Sequence, residues 1–208
     1  MDVELTFYLQ IAVAIFTILD PLGALPVFLL LTDGNSEEER RIIVRRTVIA
    51  VALILLIAAL AGNRVLAFFG IDIHAFQTAG GILLLLIALN MLQARGPLIK
   101  TTSMEREEAI EKEDVSVVPL AMPLLAGPGS ISTVIVFSAS MQTLASKGVL
   151  LAIILAVVAM LWPILLLCRR LGERIGRTGI NIAVRIMGLI LASIAVKFIL
   201  EGARAYLC

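Results

Sequence analysis

The apolar positions of the chain form long runs that are separated by short polar segments. A membrane-spanning helix needs roughly 20 mostly apolar residues, and six runs approach or exceed that length, at about 5–32, 42–62, 75–93, 117–141, 148–168 and 182–203. Stretches such as VIAVALILLIAALAG are apolar on every side, unlike strands that alternate apolar and polar residues. The pattern predicts an all-α membrane protein with six transmembrane helices.

The composition agrees with this prediction and excludes a soluble globular domain. Of the 208 residues, 60% are hydrophobic and 16% are charged, and the mean hydropathy is +1.04. The amino terminus, MDVELTF, lacks the basic segment that begins a cleaved signal peptide, so we expect the first span to be retained.

The basic residues predict how the chain lies in the membrane. Most arginines and lysines fall on or near segments 33–41, 94–116 and 169–181, which share one face in a six-span topology. The positive-inside rule places that face in the cytoplasm and both termini on the periplasmic or extracellular side. The net charge is only +1. The basic segments do not indicate a nucleic-acid partner, because their contact with anionic lipid already explains them.

The chain contains a weak internal repeat. An offset of 107 residues places the first three spans on the last three, with Pro21 on Pro128, Gly81 on Gly188, and Asn90 on Lys197. Because each unit has an odd number of spans, the second unit enters the membrane from the opposite side. We therefore predict a first three-helix repeat at 1–93, a charged cytoplasmic linker at 94–116 and a second, inverted repeat at 117–208.

The first and fourth spans each contain helix-breaking residues at mid-depth, in LDPLGALPVF (19–28) and in PLLAGPGSISTVIVFS (123–138). Proline removes a backbone donor, and glycine permits the backbone that a break requires. Irregular backbone and a carboxylate at this depth must be buried in protein or face a watery cavity. We predict that helices 1 and 4 are broken at mid-membrane. The interrupting residues are Asp20, Pro21, Gly23, Pro26, Pro123, Gly127, Pro128 and Gly129.

Paired interruptions of this kind are typical of a transporter's binding site. Two half-helices would begin at mid-depth, and their free amides and positive dipole ends suit an anionic group. Nearby carbonyl and hydroxyl oxygens suit an ammonium group or a small cation. The predicted substrate-binding residues are Asp20, Pro21, Leu22, Gly23, Gly127, Pro128, Gly129, Ser130, Ser132 and Thr133, and the secondary candidates are Thr17, Asn90 and Lys197.

Several of these residues also fit purely structural roles. Asp20 before Pro21 fits an N-cap followed by the first helical residue. Lys197 lies four residues before Glu201, so the two side chains suit a mutual ion pair. Asn90 suits a hydrogen bond between helices.

Two further structural roles follow from local patterns. Gly80, Gly81 and Gly188 suit close helix approach. Ser36 and Glu39 match a capping box that opens the second span.

The motifs DPLGALPVFLLLT, SEEERR and PLAMPLLAGPGSISTVI resemble those of the MarC family. The resemblance extends over essentially the whole chain, although this chain has Ala24 where the family motif often has Asn. It implies a six-span, multi-pass protein of the inner membrane. Some members are described as transporters of glycine, alanine and similar small neutral amino acids.

Together, these observations predict a secondary active transporter of small neutral amino acids that works by alternating access. Its substrate carboxylate would meet amides within Gly127–Ser132, and its ammonium group would meet Asp20 or released carbonyls. Coupling to H+ or Na+ is expected, with Asp20 as the protonatable group, and no metal or other cofactor is expected. An exporter of other small molecules, including antibiotic-related efflux, and a passive channel remain as alternatives. An intramembrane enzyme is disfavoured, because an aspartyl protease needs two facing acids and only Asp20 lies in the core.

Overall fold

A computed structural model of the chain describes residues 2–32, 35–93, 120, 121 and 125–207. The described residues form seven α-helices. These are α1 (Asp2–Leu19), α2 (Pro21–Leu31), α3 (Glu37–Phe68), α4 (Ile73–Leu92), α5 (Pro128–Ser140), α6 (Leu144–Leu166) and α7 (Cys168–Leu207).

The helices confirm the predicted class of all-helical membrane protein. Within the described residues, five segments are long and apolar enough to cross a bilayer: Leu5–Leu25, Glu37–Phe68, Ile73–Leu92, Leu144–Leu166 and Thr178–Tyr206. The predicted fourth span, 117–141, is represented by the shorter apolar helix α5 and by the few described residues before it. The predicted linker, 94–116, and Pro123 lie outside the described residues.

The polar segment 169–181 suggests a loop between the last two predicted spans, and this prediction is wrong, because α7 begins at Cys168. Within α7 the helical backbone is interrupted at Gly176, whose φ is 66°. Hydropathy records only that this segment is polar, and arginine is a good helix former. A polar helix was therefore indistinguishable from a loop in the sequence.

The amino-terminal end of α3 confirms the predicted capping box. The Ser36 hydroxyl accepts a hydrogen bond from the Glu39 amide at 3.3 Å, and the Ser36 amide donates to the Glu39 carboxylate at 2.7 Å. Helix α6 begins in the same way, because the amides of Thr143 and Ser146 each donate to the other residue's hydroxyl. Two reciprocal caps therefore fix where α3 and α6 begin.

Helices α4 and α7 pack as a close antiparallel pair along a line of glycines. A Cβ added to Gly81 would lie 2.9 Å from the carbonyl oxygen of Ala195, and one added to Gly188 would lie 3.2 Å from that of Ala88. Further along, a Cβ on Gly202 would lie 2.7 Å from the His74 carbonyl oxygen. These distances leave no room for a side chain, which confirms the predicted close approach at Gly81 and Gly188.

The buried apolar residues form two clusters, and α5 contributes to both. Val134 and Ile135 belong to a large cluster with α1, α2, α3 and α6, whereas Val136 belongs to a smaller one with α4 and α7. Ile18, near the end of α1, also belongs to the smaller cluster. The end of α1 and the middle of α5 therefore lie where the two clusters meet.

Arg40 was counted among the basic residues that set the topology, but its side chain is largely buried. Its guanidinium donates to the Thr32 carbonyl oxygen at 3.1 Å and to the Glu37 carboxylate at 3.4 Å. Thr32 is the C-cap of α2, so Arg40 satisfies a carbonyl that the end of that helix leaves free. The side chain thus ties the end of α2 to the start of α3.

A second polar tie joins the start of α4 to the end of α7. The Asp72 carboxylate accepts hydrogen bonds from the Tyr206 hydroxyl at 2.6 Å and from the amides of His74 and Ala75 at 2.9 and 3.1 Å. The bond from Tyr206 and those from the amides hold the pKa of Asp72 below its usual value, since each stabilises the ionised carboxylate. Asp72 therefore caps α4 and also joins the start of α4 to the end of α7.

Candidate functional site

Asp20 separates α1 from α2 with an unusual backbone conformation. Its φ and ψ are 42° and 59°, and among the described residues no other non-glycine residue has a positive φ. An L-residue in this left-handed region is disfavoured by roughly 1–2 kcal/mol, although aspartate tolerates it better than most. Pro21 follows as the first residue of α2, where its missing N–H is not needed.

The Asp20 carboxylate folds back onto the helix that it precedes. Its Oδ1 accepts a hydrogen bond from the Gly23 amide at 3.1 Å, which confirms the N-cap role. A Cβ at Gly23 would collide with that carboxylate, so glycine is required for the cap to close. Among the described residues, the carboxylate has this one hydrogen bond and no ion pair.

The dependence of this cap on Gly23 can be tested with a double-mutant cycle. Gly23→Ala is expected to lower the free energy of unfolding by about 1 kcal/mol, the usual cost of losing an N-cap. The three atoms nearest to the added Cβ all belong to the Asp20 side chain. In an Asp20→Gly background, the same change should therefore be neutral or stabilising. Thermal unfolding of the purified protein measures both steps, and an equal cost in the two backgrounds would contradict the coupling.

The second motif contains an irregular turn just before α5. The Ala126 amide donates to the Ala121 carbonyl oxygen at 2.8 Å, five residues back, as in a π-type turn. Gly127 then adopts an extended backbone as the N-cap of α5, and no side chain caps this helix end. Pro128 is its first residue. The first amides of α5 are thus left without a side-chain acceptor among the described residues.

The hydroxyl groups of this motif bond to nearby carbonyls. Ser130 donates to the carbonyl oxygens of Gly127 and Leu125 at 2.9 and 3.1 Å, which ties α5 to the turn before it. Ser132 and Thr133 both donate to the Gly129 carbonyl oxygen at 2.9 Å. Their protons are therefore occupied, and the oxygen atoms remain available only as acceptors.

The two motif segments lie next to each other. A Cβ on Gly129 would lie 3.0 Å from Leu84 Cδ2, 3.1 Å from Ile87 Cδ1 and 3.9 Å from Ile18 Cγ2. Ile18 is two residues before Asp20, so the start of α5 is packed against the last turn of α1. Thr17 in that turn is buried as well.

These motifs also identify the family to which the chain belongs. The sequence profile of MarC family integral membrane proteins matches residues 5–207, which include both motifs. The chain belongs to the MarC family. The resemblance stated from the motifs is thereby confirmed, and the protein is a multi-pass integral membrane protein.

Relatives of this MarC chain come from archaea and bacteria. A UPF0056 membrane protein of Methanocaldococcus jannaschii is 42% identical over 98% of this chain and 99% of its own length. The UPF0056 membrane protein YhcE of Escherichia coli is 34% identical, over 94% of this chain and 91% of its own. No solved structure matches the chain.

Two secondary candidates in this MarC chain have structural partners. Lys197 is exposed and lies 3.7 Å from the Glu201 carboxylate, as its spacing predicted. The Asn90 amide donates to the Leu86 carbonyl oxygen of its own helix at 2.8 Å, rather than to another helix. Gln77, which the sequence analysis did not single out, is buried and donates to Glu201 at 3.1 Å, linking α4 to α7.

Proposed function

We propose that this MarC protein is a secondary active transporter of small neutral amino acids, such as glycine and alanine, and that it works by alternating access. The observation that carries the proposal is that the proline-led start of α5, at Gly129, packs against Ile18 in the last turn of α1, two residues before the proline-led start of α2. We place the substrate between them, in helices that are interrupted at mid-membrane. Such discontinuous helices are a common site for substrate in transporters.

The positions where helices begin support an inverted repeat. Helices α2 and α5 begin at Pro21 and Pro128, and α3 and α6 begin after the capping residues Ser36 and Thr143. Both pairs differ by 107 residues, the offset found in the sequence. We propose repeats at 1–93 and 117–208, joined by the linker at 94–116.

The α4–α7 contact supports the same symmetry. Gly81 packs against the Ala195 carbonyl oxygen and the Ile199 amide nitrogen, at 2.9 and 3.0 Å from a built Cβ. Gly188 packs against the Ala88 carbonyl oxygen and the Leu92 amide nitrogen, both at 3.2 Å from a built Cβ. Every residue of one set differs from its counterpart by 107, as expected for two halves related by a two-fold axis between the helices. Inverted halves are the usual basis of alternating access.

The two motifs offer complementary partners for a zwitterion. The first amides of α5 have no side-chain cap, and they suit the substrate carboxylate. The Asp20 carboxylate has no ion pair among the described residues and suits the ammonium group. Buried Gly129 has no room for a side chain of its own, because Leu84 and Ile87 lie close to it. The lining of the proposed substrate site would also include Pro21, Leu22, Gly23, Ser130, Ser132, Thr133 and Thr17.

We further propose that H+ or Na+ drives transport, with Asp20 as the group that takes up the proton or contacts the ion. Both termini would lie on the periplasmic or extracellular side. Asn90 and Lys197 would then act as secondary residues at equivalent positions of the two repeats.

Counterflow in proteoliposomes tests the transport proposal. Vesicles that contain the protein and unlabelled alanine are expected to accumulate external radiolabelled alanine transiently above its equilibrium level, and excess glycine should compete. Vesicles without protein provide the control. A passive channel would equilibrate the label without an overshoot, and an exporter of unrelated compounds would not respond to alanine. Either result would contradict the proposal.

A further inference from the structure

A pocket of about 530 Å³ opens between α3 and α6. This volume falls within the roughly 300–1,000 Å³ of small-molecule sites in proteins. It lies at the amino-terminal end of α3, near the carboxyl-terminal end of α6. Its described lining residues are Glu37, Glu38, Arg41, Ile42, Arg45 and Trp162.

The pocket lies at the depth where a phospholipid places its headgroup. Its α3 residues occupy the charged first turns of that helix, before the apolar run that begins after Arg46. Trp162 is the only tryptophan of the chain and lies one turn before the end of α6. Tryptophan is enriched at membrane–water interfaces, where its ring meets the headgroups. A charged turn and a tryptophan side by side are the lining expected of a pocket at the boundary between water and bilayer.

The lining carries charges of both signs that the described residues leave unpaired. Glu37 lies 3.4 Å from the buried guanidinium of Arg40. Arg41, Arg45 and Glu38 are exposed, and none of their side chains has an ion pair or hydrogen bond to another described residue. Arg41 and Arg45 are four residues apart, so they project from the same face of α3. The pocket thus presents two guanidinium groups and one carboxylate.

We propose that this pocket binds the headgroup of a zwitterionic phospholipid that bears a primary ammonium group, as in phosphatidylethanolamine. The phosphate diester lies between Arg41 and Arg45, because guanidinium groups bind phosphate oxygens through paired hydrogen bonds. The ammonium group donates to the Glu38 carboxylate. The acyl chains leave past Ile42 and the ring of Trp162. An anionic headgroup without an ammonium leaves Glu38 unpaired, and a quaternary ammonium cannot donate a hydrogen bond to it.

The single tryptophan provides the test, because its side chain lines this pocket. The full-length protein is reconstituted in phosphatidylcholine vesicles that contain a fixed fraction of lipid with brominated acyl chains, which quench tryptophan on contact. The brominated lipid carries an ethanolamine, a glycerol or a choline headgroup. We expect the ethanolamine lipid to bind beside Trp162 roughly threefold more strongly than either of the others, the effect of about one exposed ion pair.

Three variants identify the groups responsible. Arg41→Gln with Arg45→Gln should weaken the binding of all three lipids beside Trp162, because each carries the phosphate diester, and Glu38→Gln should equalise the ethanolamine and choline headgroups. Arg185→Gln changes an exposed arginine of α7 outside the pocket and should leave all three quenching curves unchanged. Equal quenching by the three lipids in the unaltered protein would overturn headgroup recognition. Stronger quenching by the glycerol lipid, or a preference that survives in Glu38→Gln, would overturn the ammonium contact.

Discussion

Asp20→Asn is expected to leave the fold intact and to abolish most alanine counterflow. Asparagine also tolerates the left-handed backbone found at this position. Its amide oxygen can accept the hydrogen bond that the Gly23 amide now donates to the carboxylate. Only the negative charge is lost. A hydrogen bond to a charged group contributes about 1.5–3 kcal/mol, so we expect the counterflow rate to fall by at least roughly tenfold.

Two measurements separate transport from folding in this variant. Counterflow of radiolabelled alanine gives the transport rate, and thermal unfolding gives the stability. The melting temperature of Asp20→Asn should stay close to that of the unaltered protein, whereas stabilisation by added alanine should weaken. Uptake driven by a pH gradient is also expected to disappear if Asp20 takes up the proton.

Two further substitutions serve as controls for the structural role of Asp20. Asp20→Gly keeps the left-handed backbone but removes the cap, which should cost about 1 kcal/mol of stability. Asp20→Ala removes the cap and also forces a less tolerant residue into that backbone, so it should be less stable than Asp20→Gly. If Asp20→Asn transports alanine at the full rate, Asp20 is a helix cap alone.

The features of this fold that depend on neighbours in the chain were predictable from the sequence. The N-cap at Asp20, the capping box at Ser36 and the pairing of Lys197 with Glu201 each involve residues three or four positions apart. Helical geometry alone brings such pairs together. Among the described residues, five of the six predicted spans are helices long enough to cross a bilayer, and these followed from the length of the apolar runs.

Contacts between distant residues or in irregular backbone were not predictable in the same way. Arg40 was indistinguishable from its arginine neighbours in the sequence, and only the fold places it against the end of α2. Gln77 reaches Glu201 because α4 and α7 are antiparallel neighbours. The bonds from Ser130 to the turn before α5 depend on the backbone path after Leu125, which proline and glycine suggest but do not define.

The candidate site combines both kinds of information. The two Pro/Gly motifs and their offset were visible in the sequence, and the substrate-binding role of their residues stays a prediction. The packing of Gly129 near Ile18 could not be predicted from spacing, because it depends on how α5 fits between the two core clusters. The expected free amides also need refinement, since the Gly23 amide is occupied by Asp20 whereas α5 has no side-chain cap.

The largest expected loss of stability comes from alanine at the glycines between α4 and α7. In Gly81→Ala the new methyl group would lie 2.9 and 3.0 Å from backbone atoms of α7, and in Gly188→Ala it would lie 3.2 Å from backbone atoms of α4. Backbone cannot move aside as a side chain can, so the helices must separate. Overpacking of this kind costs about 1–3 kcal/mol.

A matched control isolates that cost from the general benefit of alanine in a helix. A Cβ on Gly148, within α6, would meet nothing within 4 Å, so Gly148→Ala should stabilise the protein by up to about 1 kcal/mol through helix propensity alone. Reversible unfolding in mixed detergent micelles gives the free energy for each variant. Gly81 and Gly188 have equivalent partners at an offset of 107, so the Gly81→Ala and Gly188→Ala proteins should both be less stable than the Gly148→Ala protein. The loss should be somewhat larger for Gly81→Ala, because its contacts are shorter. A large effect at one glycine and none at the other would contradict the two-fold relation between the halves, and with it the structural basis proposed for alternating access.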